Sequence, residues 1–409
     1  MIPLRGDIDE IEVPEVPRSS NRLSHPIMIK TQTMPLQRPG RLLFIDFTRG
    51  VVMALMAWDH VSGFWNRYHH GGEGIMGRMP PFINFTWFIA RFVSHYCAPI
   101  FIFLAGVALA LSTTRRLSRG ESQKDITLRM IKRGVVLLLL SAFVVAPAFG
   151  GHPIRFGVIA CFGVCFIIFS VYRRLPPVVI LALSLVVILN HPFLELNWIP
   201  DDTWWGWYLR VIIHEPNYDW RPFSGLYPII PWIGVMGLGW SFGTLLTGYD
   251  FSQIRKLRVP LIATGSASLF LWFIIRWLNG YGNLLPRGGN TAIDWLYVAK
   301  YPPSLAFLLW TLGGMCFFMA LGLFLENRPE FNRGITGIIL TFGRVPLFFY
   351  LTHLWLYRMR LPGAPRPFVS LPLVPTIVFW LVGLFILWQL CIRYERLKRS
   401  HPESLLQYI

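Results

Sequence analysis

Four ionisable residues, Asp46, Arg49, Asp59 and His60, lie in one apolar run, RLLFIDFTRGVVMALMAWDHVSGFW. An ionised or polar group in hydrocarbon is costly unless it is paired or faces a wet cavity, so such residues mark a functional site by default. Asp46 and Arg49 are three apart, share a helix face and can form a local ion pair. From Arg49 to His60 there are eleven helical steps of ~100°, which return to nearly the same angle about 16 Å further along the axis. Both residues therefore lie on one stripe, from the inner end of the segment to its outer third. A neutral imidazole can accept a proton from a hydroxyl or amine near neutral pH, so general-base chemistry on this stripe needs no metal. Asp59 is adjacent to His60 in sequence, and one helical step does not turn it toward His60.

Two further histidines fall at comparable depth. His95 lies in RFVSHYCAPIFIFLAG and His353 in GRVPLFFYLTHLW, and the three are expected to converge on one cavity. His69 and His70 belong to the glycine-containing stretch NRYHHGGEG, read as a flexible loop. Adjacent histidines make a poor chelate, so no metal is expected. Tyr227, Trp232, Tyr301, Arg344 and Tyr350 complete the polar and aromatic candidates. For the tyrosines and the tryptophan, the competing reading is amphipathic anchoring at a membrane interface.

The elements that must hold these residues are transmembrane helices. Of 409 residues, 54% are hydrophobic and 14% charged, a balance that leaves a soluble domain too few polar groups to cover its surface. The mean hydropathy is +0.48. Apolar runs recur at roughly 42–66, 83–112, 128–149, 154–172, 176–192, 225–248, 258–279, 302–325, 337–357 and 370–393, which predicts an all-α polytopic bundle of about ten transmembrane helices. The formal charge of +17 would suggest nucleic acid in a soluble protein. Here the basic residues cluster in short loops, at 115–133, 173–174, 255–258 and 393–399, which encodes topology instead and excludes nucleic-acid binding. All four clusters share one side if both termini are cytoplasmic. The 193–224 loop, with Glu195, Asp201, Asp202, Glu215 and Asp219, then lies outside; Arg358, Arg360 and Arg366 disagree with that orientation. The five cysteines sit in apolar runs without metal-site spacing and read as buried thiols. Residues 1–40 carry acids and scattered prolines but no apolar core, and read as a disordered cytoplasmic extension ahead of a membrane domain at 41–409.

The segments RLLFIDFTRG with a following DH, HYCAPIFIFLAG, YPIIPWIG, YPPSLAF, GRVPLFFYLTH and the basic tail RYERLKRSHPESLLQYI occur in that order. Together they resemble the heparan-alpha-glucosaminide N-acetyltransferase-like membrane acyltransferases, in particular the bacterial members, from about residue 41 to the C-terminus. The resemblance implies that an acyl-CoA, usually acetyl-CoA, enters from the cytoplasm of a bacterial inner membrane. An extracytoplasmic acceptor, a glycan or small molecule, would receive the acyl group. It also implies roles. His60, His95 and Asp59 are catalytic candidates. Arg49, Asp46 and Arg344 are candidates for the coenzyme, and Tyr227, Trp232, Tyr301 and His353 for the acceptor. The family's lysosomal enzyme uses a histidine in the loop after its first span and has Asn where this chain has His60, which makes His69 or His70 the alternative base. Phosphate charges on coenzyme A suit Arg49 and the basic inner rim.

Two other classes compete with the enzyme. A secondary transporter also needs charged residues in a cavity and proline or glycine near span ends. A non-catalytic subunit of a membrane complex, or a homo-oligomer, would use the 17 tryptophans and the N-terminal arm for contacts with lipids and partners. Acceptor-dependent release of CoA by the purified protein separates the first reading from the others.

Overall fold

Several helices open on short polar side chains that accept the first free backbone N–H groups. A computed structural model describes residues 41–150, 154–217, 223–359, 371–401 and Ser404. The expected extension at 1–40, together with Asp219, Arg360 and Arg366, lies outside the described residues. In chain order the helices are α1 (Leu43–Trp65), α2 (Phe85–Phe92), α3 (Cys97–Leu117), α4 (Gln123–Leu140), α5 (Ala146–Phe149), α6 (Val158–Tyr172), α7 (Pro177–Asn190) and α8 (Trp204–Ile213). They continue as α9 (Ile229–Thr247), α10 (Phe251–Lys256), α11 (Arg258–Leu278), α12 (Ala292–Leu296), α13 (Leu305–Leu325), α14 (Gly334–Arg344), α15 (Pro346–Arg358) and α16 (Leu373–Ser400). Asn84 caps α2, Ser122 caps α4 and Ser304 caps α13, the last by accepting the Phe307 N–H at 3.1 Å. The only sheet among the described residues is a parallel pair, β1 (Ile154–Phe156) against β2 (Phe223–Gly225).

Among the described residues, six helical stretches are long and apolar enough to cross a membrane: Phe85–Leu117, Gln123–Phe149, Ile229–Thr247, Phe251–Leu278, Leu305–Leu325 and Leu373–Ser400. The protein is thus a helical integral membrane bundle. The other four expected spans are helical too, but differ from simple spans for physical reasons. α1 is long enough, yet carries Asp46, Arg49 and Asp59. Residues 154–156 form a strand, so the fourth span shortens to α6, and α7 is shorter still. The expected span 337–357 is broken into α14 and α15, bent by 98°. The break falls at Val345-Pro346, where proline opens the new helix because its ring cannot continue the old one.

Glycine sets how closely the central helices approach. A Cβ on Gly50 would lie 1.9 Å from the Ile339 carbonyl oxygen, and one on Gly343 1.9 Å from that of Asp46, so α1 and α14 meet backbone to backbone. Gly106 and Gly239 do the same for α3 and α9, at 2.0 Å from Met236 O and 1.9 Å from Phe103 O. Small residues at such crossings let helices associate without a hydrophobic driving force between them. The outward apolar side chains of α11 and α16, such as Phe270, Leu271, Val378 and Phe385, are exposed and suit lipid.

Candidate active site

The N-terminal end of α1 is ionic. The Asp46 carboxylate is paired with Arg41 and, at 3.4 Å, with Arg49. Because α1 and α14 touch at Gly343, the Arg49 guanidinium also donates to the Gly343 carbonyl at 3.1 Å. Arg49 and Arg133 then line a cavity of about 140 Å³ whose far wall holds Phe101, Phe162 and Tyr350.

Near the C-terminal end of α1, His60 meets α15. His60 Nδ1 lies 2.6 Å from His353 Nε2, and the two rings stack with centroids 4.9 Å apart. His353 is fully buried, and its Nδ1 lies 2.9 Å from the Phe349 carbonyl oxygen. A carbonyl can only accept, so His353 Nδ1 carries the proton and its Nε2 is the acceptor. His60 Nδ1–H must therefore donate to it, which leaves His60 Nε2 with a free lone pair, on a ring that lines a cavity. The arrangement fixes a base tautomer by a buried chain of neutral groups, the orienting logic that a carboxylate provides in hydrolase triads.

Asp59 points elsewhere. Its carboxylate pairs with Arg91 and accepts the Ser94 hydroxyl at 2.8 Å. Arg91 in turn holds Glu73 through two bonds, at 2.6 and 2.9 Å. A short 3₁₀ turn at Val93–Tyr96, just ahead of Cys97-Ala98-Pro99, carries Ser94 and His95 toward this cluster. His95 Nε2 lies 3.4 Å from Glu73. Burial alone would raise the Glu73 carboxyl, but the Arg91 guanidinium and its hydrogen bonds hold it well below the usual carboxylate range. His69 is half-buried, with Nδ1 3.1 Å from Ser62 Oγ. Removal from water, reinforced by Arg91, pushes its pKa down to about 4 against the pull of Asp59 and Glu73.

Three cavities with shared lining residues run in series from the arginines: inner, neck and outer by their order along α1. The inner one, with Arg49 and Arg133, shares Phe101, Phe162 and Tyr350 with a neck of about 40 Å³. The neck shares Asp59, His60, Val158, Tyr227 and Tyr350 with an outer cavity of about 360 Å³. The outer cavity reaches His69, Arg91, Arg155 and Tyr301. β1 brings Arg155 to it, with the guanidinium 4.2 Å over the Phe149 ring.

The expected residues separate into two groups. His60, Asp59, Tyr227, Tyr301, Tyr350 and His69 line the outer cavity, and Arg49 the inner one, which Tyr350 also reaches. The others do not. His95 is 1% exposed and sits against Glu73, so the three histidines do not converge: His60 and His353 pair, and His95 belongs to the Arg91 cluster. His353 contacts His60 and lines none of the three cavities. Trp232 is fully buried beneath Tyr227, with ring centroids 5.6 Å apart, which leaves a sugar no face to stack on. Arg344 reaches toward Glu395 at 3.9 Å and, like Asp46, lines none of the three cavities. His70 packs edge-on against Phe82. Sequence reasoning missed Glu73, Arg91, Arg155 and Lys300. Arg91 carried the same signal as Arg49, a cation within an apolar run; Glu73 and Lys300 sit in loops and carried none. Among the described residues no group of three or more His, Cys, Asp or Glu is placed to hold a metal.

No curated protein matches the sequence. A family profile described as heparan-alpha-glucosaminide N-acetyltransferase, catalytic, matches residues 41–276, more than half of the chain and a stretch that holds α1, the Arg91 cluster and Tyr227. The chain belongs to the heparan-alpha-glucosaminide N-acetyltransferase catalytic family of membrane acyltransferases.

Proposed function

We propose that the protein moves an acyl group, acetyl in the first instance, from cytoplasmic acyl-CoA to an amine or hydroxyl of an extracytoplasmic acceptor, most simply a sugar, with both chain termini in the cytoplasm of an inner membrane. The observation that carries this reading is the series of cavities with shared walls from Arg49 and Arg133, past His60, to the outer cavity. The cationic end suits coenzyme A phosphates, and the apolar walls at Phe101 and Phe162 suit the pantetheine arm. The thioester carbonyl then lies in the neck and the acceptor in the outer cavity.

His60 Nε2 takes the proton of the acceptor N–H or O–H as that atom attacks the thioester carbon. The intermediate collapses with loss of the coenzyme A thiolate, which recovers the proton from the His60 imidazolium. One C–S bond breaks, one C–N or C–O bond forms, and the base returns to its starting state. His353 orients His60. Asp59, already neutralised by Arg91, acts on the field of the site rather than on the proton.

His69 is the second candidate base, because it lines the same outer cavity and its Nδ1 is engaged by Ser62. The test of the overall reading is the purified protein in sealed vesicles with acetyl-CoA on one side and an amino sugar on the other. Acceptor-dependent release of CoA on the donor side, with acetylated sugar on the other, is the expected result. Uptake of either solute without CoA release would favour a transporter.

A further inference from the structure

Lys300 lies in the turn between α12 and α13, and its position is fixed by the backbone: Lys300 and Tyr301 N–H both donate to the Glu73 carbonyl, at 3.0 and 2.9 Å. The side chain is 2% exposed. It lines the neck together with Asp59, His60, Tyr227 and Tyr350. Its ammonium lies 5.2 Å from the Tyr301 ring centroid, and among the described residues no carboxylate stands within 4 Å of it. Asp59 and Glu73 share the one guanidinium of Arg91, so Lys300 balances the remaining charge of the cluster at a distance while making no direct ion pair. Its ammonium donors are therefore open toward the neck, where negative charge that arises during function would be met by a fixed cation.

We propose that Lys300 is the group that stabilises the oxyanion of acyl transfer. The inference rests on the acyltransferase reading above. When the acceptor adds to the thioester, the carbonyl π pair moves onto oxygen; that oxygen becomes negative in the neck, between His60 on α1 and Lys300 on the α12–α13 turn. The ammonium donates a hydrogen bond to the oxyanion and keeps its own proton. When the C–S bond breaks, the charge leaves with the thiolate, and His60 returns the acceptor's proton to sulfur. A fixed cation in a confined site acts most strongly where charge develops, so it lowers the barrier more than it tightens ground-state binding.

Full-length protein, acetyl-CoA and glucosamine are the probes. Lys300→Met should lower kcat about 10²–10³-fold, the range for loss of one oxyanion donor. The Kd for acetyl-CoA should stay within about twofold, since the inner cavity is untouched. Lys300→Cys should be equally slow, recover when 2-bromoethylamine rebuilds a side chain ending in an ammonium, and stay slow when a neutral alkyl halide of the same length is used. Cys97 lines the same neck, so the alkylations are run in a Cys97→Ala background, with the otherwise parental protein in that background as control. Recovery by the neutral group, or a Lys300→Met enzyme within about threefold of the parent, would reduce Lys300 to a brace against Tyr301. Weaker acetyl-CoA binding with kcat intact would also overturn the proposal. If Lys300→Met fails to fold, the alkylated cysteine pair decides alone. A parent protein that releases no CoA would instead bring down the acyltransferase reading itself.

Discussion

Replacing His353 by Phe tests whether the buried histidine acts only through His60. The phenyl ring is slightly larger than the imidazole and keeps the stacking on His60, but removes the acceptor 2.6 Å from His60 Nδ1 and the donor to Phe349 O. The His60 Nδ1–H is then left without its partner in a site closed by Phe149 and Tyr350. An unsatisfied buried donor costs about 1–3 kcal/mol. The imidazole can avoid that cost by shifting its proton to Nε2 and turning, which removes the base from the cavity. At 1.4 kcal/mol per factor of ten, the loss corresponds to about 5–150-fold in kcat. Donor affinity should not change, because neither ring lines the inner cavity. Single-turnover acetyl transfer at saturating acetyl-CoA reads the effect directly, with monodispersity in detergent as the folding control. His353→Gln, whose carbonyl oxygen can accept from His60, should recover part of the rate. A His353→Phe enzyme within about twofold of the parent, or a Gln variant no better than Phe, would refute the tautomer argument.

Other expectations follow from the same geometry. A cysteine placed at Asn197 should be labelled by an impermeant maleimide from outside intact cells and one at Arg119 should not; the reverse pattern would invert the orientation and the direction of transfer. Arg49→Ala should weaken acetyl-CoA binding and destabilise the fold, because Asp46 loses a partner in a nearly buried site. The double variant with Asp46→Asn isolates the first effect, and normal binding by the folded double variant would make Arg49 a staple only. His69 contributes a pH dependence of known sign. Its folded pKa of about 4 lies below the ordinary 6.5, so the unfolded chain takes up the proton first as pH falls. Stability linked to His69 is therefore intact above pH 6.5 and falls between 6.5 and 4, by about 3 kcal/mol in full. Melting of His69→Gln in detergent should lose that slope over the same interval, and an unchanged slope would mean that His69 is solvated.

The membrane character and the importance of α1 were legible because hydrocarbon makes every ionisable residue conspicuous. Asp46, Arg49 and His60 stood out for that reason, and the 100° periodicity placed Arg49 and His60 along one path. What the sequence does not encode locally is which distant side chain satisfies each charge. Asp59 was visible, but its partner Arg91 comes from 32 positions away and the Glu73 beneath it from a loop. Depth along the membrane suggested that His60, His95 and His353 meet. Depth leaves the rotation of each helix undetermined, and the 3₁₀ turn before Pro99 together with the 98° bend at Pro346 sends His95 and His353 to different neighbours. The glycines of NRYHHGGEG read as flexibility, whereas Gly74 at φ 94° shapes a turn that seats Glu73 under Arg91 and leaves His69 on the cavity wall. Trp232 shows the converse error: an aromatic beside a proline reads as an interface or ligand platform, but its ring fills the packed face of α9.

The central claim is that His60 is the base of a transmembrane acyl transfer, and acetyl transfer by His60→Ala beside His69→Ala tests it most directly. With acetyl-CoA binding preserved in both, the account predicts a loss of ~10²–10⁴-fold for His60→Ala, the usual worth of a positioned acid–base group, and a mild loss for His69→Ala. Near-parental transfer by His60→Ala, with His69→Ala inactive, would contradict it and move the chemistry to the loop histidine.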